Sequence, residues 1–536
     1  MRNLLSAMLA LALYAQAQAP ADGGQAGWDK VTGPQGAWVY IVVGAYDTVG
    51  PRLESAAAKL GPEASAAVKG IPAHIREGVG DNQGIDRDAV DLSRPFAIAV
   101  YNPLAGQPPA AIVPVKGDLA GDKRVINGYI VACDNEMLAA RLTSSLESAG
   151  AGAIAGPAGA VRIYVDVGTI FQLFGPFVQM QLAAGMGGAG GPSGAERQMA
   201  MAGVDLIFNL MGQLKHVLVD LDVNDRSLLV TKDVVAKEGT DLAQLFGSQG
   251  GGTALAGMLP ARSFVLSAKL KGIGPFALKL ADRWLGKALA NPADAKYVRD
   301  AFAKFVNGAG DEFAMGGDFS PDGYAGDQVV SFTGTMDDAR EYHRAFTSDK
   351  TPAAIRALMR GGTYTLQENI RQSGGVAVDK FTSTVDTSAL GAEAGAQLQK
   401  LFGGDGMQGE FALANGKLIV CTGGKDCSQR LDALVAASKN SAGAPGAQPV
   451  AFNFDILRLA GGIARAMGAG AEAPAAAAAP VSGTVTFSGA AARSGVVIPI
   501  DAIAKVKEFA EQIMGGGMGM GEPVAPVPVP VEEEEE

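Results

Sequence analysis

The chain carries one stretch twice, and that repetition limits its fold more than any other feature. Residues 127–133 read Asn-Gly-Tyr-Ile-Val-Ala-Cys, and residues 415–421, which lie 288 positions later, read Asn-Gly-Lys-Leu-Ile-Val-Cys. After each copy comes a helical pattern holding Arg141-Leu142 or Arg430-Leu431, and then an alternating segment, 161–167 or 450–456. The alternating segments are offset by 289, so one residue separates the two registers over some forty positions. Unrelated segments drift apart over that length, whereas a duplicated module stays in step. The expectation is an α+β protein of two tandem similar halves, 37–250 and 260–514, each with mostly antiparallel sheet and helices packed on one face.

Local patterns fill in the module. Residues 38–43, 95–101 and 111–116 read as strands, and Gly50-Pro51 opens a helix with Leu53, Ala57 and Leu60 on one face. Between them, 71–93 is polar and holds Asp81, Asp86, Asp88 and Asp91, which predicts a loop. Asn415-Gly416 is the favoured type I′ pair, so 409–421 predicts a tight hairpin. Val161, Ile163, Val165 and Val167 alternate with Arg162, Tyr164 and Asp166, and Val450, Phe452, Phe454 and Ile456 alternate likewise, which predicts strands with those apolar residues buried. Asp166 and Asp455 stand where strand gives way to helix and are natural N-caps. Ile456, Leu459, Ile463 and Met467 form the apolar stripe of the second such helix. Hairpins are expected at 217–231, 312–333 and 481–500, the middle one turning at Pro321-Asp322-Gly323.

The ends and insertions have a different character. Arg2, an apolar run at 4–14 and the small-x-small Ala15-Gln16-Ala17 predict a signal peptide at 1–17, hence export to periplasm, envelope or medium. Residues 18–36 read as a flexible linker, 183–203 as a mobile Gly/Met loop, 468–480 as a mobile Ala/Pro loop, and 515–536 as a disordered Gly/Met, Pro/Val and Glu tail. No later segment has about eighteen unbroken apolar residues, so no transmembrane span is expected in the mature chain. The net charge of −11 and the lack of a Lys/Arg cluster argue against nucleic acid as a partner.

Signatures of chemistry are sparse. His74, His216 and His343 are scattered, and His216 is expected at the surface; no G-x-S-x-G, S-x-x-K or H-E-x-x-H occurs. Asp220, Asp222 and Asn224, and again Asp318, Ser320, Asp322 and Gly323, start like calcium loops. Both lack the closing Glu, so both are read as hairpin turns. The glycines at 150–156 follow a helix and precede a strand, the reverse of a dinucleotide-binding order. Cys421 and Cys427 bracket a short loop and could close a disulfide, while Cys133 has no such neighbour. Met180, Met186, Met199 and Met201 offer adaptable apolar contacts for lipid or an apolar ligand, against the plainer reading of a low-complexity excursion. No catalytic, cofactor-binding or metal residue is assigned.

With its leader, the Asp91-Leu-Ser-Arg-Pro95 segment, the repeated N-G-x-x-x-x-C strands and the Val-x-x-x-x-Asp strand ends, the chain resembles large exported bacterial proteins of domain-of-unknown-function families with a duplicated α+β module. The resemblance implies export and a repeated α+β fold, and supplies no catalytic residue. The functional expectation is a non-enzymatic exported binding or scaffold protein of the cell envelope for an apolar ligand or partner protein; the alternative is an exported hydrolase whose site assembles from distant residues.

Overall fold

The computed structural model describes residues 36–83, 85–102, 105–117, 124–149, 159–185, 194–347, 351–358, 362–384, 392–402, 404, 406–440, 448–466 and 479–515. The signal peptide expected at 1–17, the linker up to residue 35, the segments 186–193 and 467–478 of the two insertions, the glycines at 150–156 and the tail beyond Gly515 lie outside the described residues.

In the first half, β1 (Val39–Val43) leads into α1 (Tyr46–Leu60) and α2 (Pro62–Gln83), then β2 (Phe96–Val100), β3 (Ala110–Pro114) and β4 (Tyr129–Ala132). Next come α3 (Glu136–Ala149), β5 (Val161–Val165), α4 (Val167–Gly185), α5 (Gly194–Gly212), the hairpin β6 (Leu214–Val223) and β7 (Ser227–Ala236), and α6 (Asp241–Gly247). The second half runs β8 (Phe264–Lys269), α7 (Ile273–Ala288), α8 (Pro292–Gly308), β9 (Ala309–Ser320), β10 (Gly323–Phe332), α9 (Met336–Thr347), α10 (Ala353–Leu358), β11 (Tyr364–Ser373), β12 (Val376–Thr384), α11 (Ala392–Phe402), β13 (Gly406–Ala414) and β14 (Lys417–Thr422). It closes with α12 (Cys427–Ala437), β15 (Val450–Phe454), α13 (Ile456–Ala466), β16 (Val481–Ser488), β17 (Ala491–Pro499) and α14 (Ile500–Gly515).

The strands form one antiparallel sheet of seventeen, consistent with the α+β expectation. The first seven pair in the order β4-β3-β2-β1-β5-β6-β7. The rest pair as β14-β10-β9-β8-β15-β16-β17, with β13, β12 and β11 added beyond β14. The two series meet where β7 pairs with β17.

Both Asn-Gly segments turn as their chemistry dictates. Asn127 and Gly128 have φ of 52° and 78°, and Asn415 and Gly416 have 51° and 70°, left-handed values that these residue types tolerate best. Each Asn side chain also ties its turn to the end of the following helix: Asn127 Nδ2 donates to the Leu146 carbonyl at 3.0 Å, and Asn415 Nδ2 to Ser438 Oγ at 2.8 Å. Arg94 clamps the first turn, donating to the carbonyl oxygens of Asn127 (2.8 Å) and Gly128 (3.3 Å) while its guanidinium lies 4.2 Å over the Tyr129 ring. Asp91 holds Arg94's loop through bonds from Ser93 N and Oγ at 3.1 and 2.6 Å. The two expected N-caps are present: Asp166 accepts from Thr169 N at 2.9 Å, and Asp455 from Arg458 N at 2.9 Å.

Several expectations are corrected. Helix α1 begins at Tyr46 and takes Pro51 into its interior. Pro51 has no N–H for the Asp47 carbonyl, and burial of Val49, Ala56 and Ala57 offsets that loss. Residues 71–83 are the second part of α2, not a loop. Ile75 packs beside Ile85, Val90 and Val113, and Asp86 caps a short 3₁₀ turn by accepting from Asp88 N at 3.0 Å. In α13 the buried residues are Leu457, Gly461, Gly462, Ala464 and Ala466, while Ile463 is 38% exposed. The reason is close approach to β9, because a Cβ on Gly462 would stand 2.5 Å from the Phe319 carbonyl oxygen. Helices also cover both faces of the sheet in the second half. The consecutive residues Leu418 and Ile419 of β14 point oppositely, Leu418 packing with Ala339 of α9 and Ile419 with Leu431 of α12.

Candidate apolar interaction surface

Alternation along β1, β2, β5, β6 and β7 sorts their side chains onto two faces, and the register aligns them into rows. Val100, Val39, Val165, Val217 and Val234 lie side by side across the five strands. The next row is Ile98, Ile41, Ile163, Val219 and Lys232, and the third is Phe96, Val43, Val161, Leu221 and Val230. Every residue of the three rows is half-buried and none is buried. On the other face Val42, Ala97, Ala99, Tyr164, Leu218 and His216 are buried. The expected burial of Val161, Ile163 and Val165 is therefore inverted, with Tyr164 as the buried residue of β5. Alternation predicts that a strand has two unlike faces. Which one is closed depends on what packs there, and α3 brings Leu138, Leu142 and Leu146 to the Ala97 side. With strands about 4.8 Å apart, the three rows extend roughly 20 Å across the sheet. Lys232 is the one charged side chain among them, and burial pushes its pKa below the ordinary lysine value.

At the end of β5 the chain passes through the Asp166 cap into α4, which has no charged residue from Val167 to Gly185. Its base is anchored. Phe174 meets Trp38 edge-on with ring centroids 5.6 Å apart, and Phe171 meets Phe208 of α5 at 5.1 Å. Gln179 donates to Asp205 of α5, which accepts from Lys287 of α7 at 2.6 Å. Helix α5 buries Met199, Ala202, Leu206 and Leu210 against Phe276, Leu280 and Trp284. Beyond Gly175, α4 stands out from this packing: Phe177 is 54% and Met180 59% exposed, and Pro176, Val178, Leu182 and Ala184 are exposed as well. The expected mobile loop at 183–203 is corrected on its described residues, since α4 continues to Gly185 and α5 starts at Gly194. Ala, Met, Gln, Glu and Arg are good helix formers, and glycine-rich composition hid them. Of the four methionines, Met180 is exposed, Met199 is in the core, Met201 is half-buried, and Met186 lies outside the described residues.

The remaining candidates occupy unrelated environments. His74 is exposed on α2, 3.9 Å from Glu77. His216 is buried, with its ring centroid 5.2 Å from that of Tyr164, a correction to its expected surface position; it shares the buried face of β6 with Leu214 and Leu218, while the Val217 face is the one left half-buried. His343 on α9 lies among the rings of Tyr364, Phe381 and Phe411, and its Nδ1 shares a hydrogen bond with the Tyr364 hydroxyl. Among the carboxylates of the two Asp-rich hairpins, Asp220 pairs with Arg162, Asp222 with Arg52, Asp322 with Lys425, and Asp318 with Arg262 and Arg458. Among the described residues no group of three or more His, Cys, Asp or Glu is arranged to hold a metal ion. Cys421 and Cys427 are buried free thiols, the Cys427 Sγ donating to the Cys421 carbonyl at 3.3 Å, and burial pushes both thiol pKa values up. Cys133 is a half-buried free thiol. No protein-family model, curated protein or solved structure matches the chain.

Burial pushes the His343 pKa down to about 4, partly opposed by the carboxylate of Asp379. The folded protein thus resists a proton that the unfolded chain binds near pH 6.5. Stability is complete above that pH and falls as the pH drops from 6.5 to 4, by about 3 kcal/mol for this group. His343→Phe should flatten the fall in urea midpoint over that interval; an unchanged slope would assign it to other groups.

Proposed function

We propose that this is an exported, non-enzymatic binding protein of the cell envelope that holds an apolar ligand or partner on the three-row face of its first half. The observation that carries this reading is the row geometry: fourteen apolar side chains and one lysine, in register across five strands, none of them buried. Apolar surface on this scale stabilises a complex by leaving water, at roughly 25 cal/mol per Å². The signal peptide and the sequence resemblance support export. The matching strand orders of the two halves support descent from one duplicated module, in which β11, β12 and β13 are an addition to the second copy. The hydrolase alternative has less support, because the histidines lie on separate elements and the hairpin aspartates are engaged by basic side chains.

The uncharged dye N-phenyl-1-naphthylamine tests the assignment. The protein should bind it, and Ile41→Gln with Ile163→Gln, in the centre of the middle row, should weaken binding about tenfold, or ~1.4 kcal/mol. Circular dichroism should be unchanged. Equal dye binding by the variant, or none by the wild type, would overturn it.

A further inference from the structure

We propose that the outer part of α4, residues 176–185, inserts into one leaflet of a lipid bilayer. A helix that docks on a protein presents one apolar stripe, whereas one that is apolar nearly all round belongs in a core or in hydrocarbon. At about 100° per residue, Pro176, Phe177, Val178, Met180, Leu182 and Ala184 lie on both sides of the exposed, uncharged Gln181 and together with it span roughly 240° of the circumference. All six are exposed. The remaining side is that of Gln179, whose hydrogen bond to Asp205 fixes the arm to α5. The ten residues measure about 15 Å, half of the ~30 Å hydrocarbon core of a bilayer. No described helix is long and apolar enough to cross a membrane, so the arm reaches one leaflet. The absence of charge from Val167 to Gly185, in a chain of net charge −11, fits neutral lipid and makes anionic headgroups unfavourable.

The proposal builds on the reading of an apolar-binding envelope protein but uses a different surface. Dye binding at the three rows and vesicle binding at the arm therefore fail separately. The test is flotation of the full mature chain with phosphatidylcholine vesicles. The wild type should float, equally at low and high salt. Phe177→Ser with Met180→Ser and Leu182→Ser should lower the partition coefficient at least tenfold, and Gln181→Asp alone should lower it several-fold. Both variants should keep the wild-type dye affinity and stay folded, with a thermal midpoint close to that of the wild type, since these side chains are exposed and none belongs to a buried core cluster. Wild-type protein that stays at the bottom of the gradient, or variants that float as well as it does, would overturn the proposal. So would binding that needs anionic lipid and vanishes in high salt. A lipid-free dimer formed by the wild type and lost in the triple variant would assign the arm to a second copy and also overturn it.

Discussion

Replacing Asp327 by alanine is expected to lower the stability of the second half by about 3–5 kcal/mol, the usual consequence of removing one partner from a buried ion pair. Asp327 lies on β10 with its side chain 0% exposed and is gripped from two directions. Arg262, just before β8, donates from Nε at 2.9 Å and again from Nη2, and Arg430 of α12 donates from Nη1. Both arginines are nearly buried. Arg262 also reaches Asp318 at 3.1 Å, and Arg430 binds the Thr422 carbonyl at 3.0 Å and Asp426 at 2.9 Å. The carboxylate thus ties three elements together, and without it Arg262 keeps Asp318 and Arg430 keeps Asp426 and backbone carbonyls, but the two guanidinium charges lose the carboxylate that stands between them. Asp327→Asn keeps the shape but not the charge and should fall between wild type and alanine. Urea unfolding followed by fluorescence reads the difference; a loss below about 1 kcal/mol would show that the arginines find other partners or water.

Arg493→Ala should have a comparable effect at a different place, the seam between the halves. Arg493 of β17 stands directly opposite Asp233 of β7 and forks onto it, Nε to Oδ1 and Nη2 to Oδ2 both at 2.6 Å. Asp233 is 1% exposed, so truncation leaves a buried carboxylate without its fork, again about 3–5 kcal/mol. Because the strands of the two halves pair at β7 and β17, the loss should appear as local opening. Protease cleavage between residues 248 and 263 should accelerate at least tenfold while the second half's urea transition moves less than in the Asp327 variant. Arg493→Lys, which lacks the planar fork, should rescue only part of the effect. Exchange of the two residues should restore more. Wild-type cleavage rates in the alanine variant would mean that helix packing such as α5 on α7, and not the seam pair, holds the halves together.

The fold was legible in the sequence wherever a local rule settles the geometry. Asn-Gly favours positive φ, so the turn at Asn415-Gly416 falls at the expected residues, and Asp166 and Asp455 cap because a short carboxylate after a strand meets free amides. The repeated Arg430 was visible as a landmark, but its role at Asp327 depends on a partner about a hundred residues away. Composition misled at α2 and at the α4–α5 pair, where glycine, proline and aspartate imitate loops although tertiary contacts on one side are enough to hold a helix.

The candidate surface divides in the same way. By itself the sequence determined that β5 has one apolar and one mixed face, that α4 carries no charge, and that 127–133 and 415–421 are alike, because periodicity, charge and self-similarity are properties of the chain alone. Only the tertiary structure decided that Tyr164 is the buried side chain of β5, that the valines and isoleucines of five strands fall into three half-buried rows, and that α4 leaves the core at Gly175. Burial is a property of neighbours: α3 arrives on one face of the sheet and not the other, and α5 turns its apolar side to α7 and leaves the outer part of α4 bare.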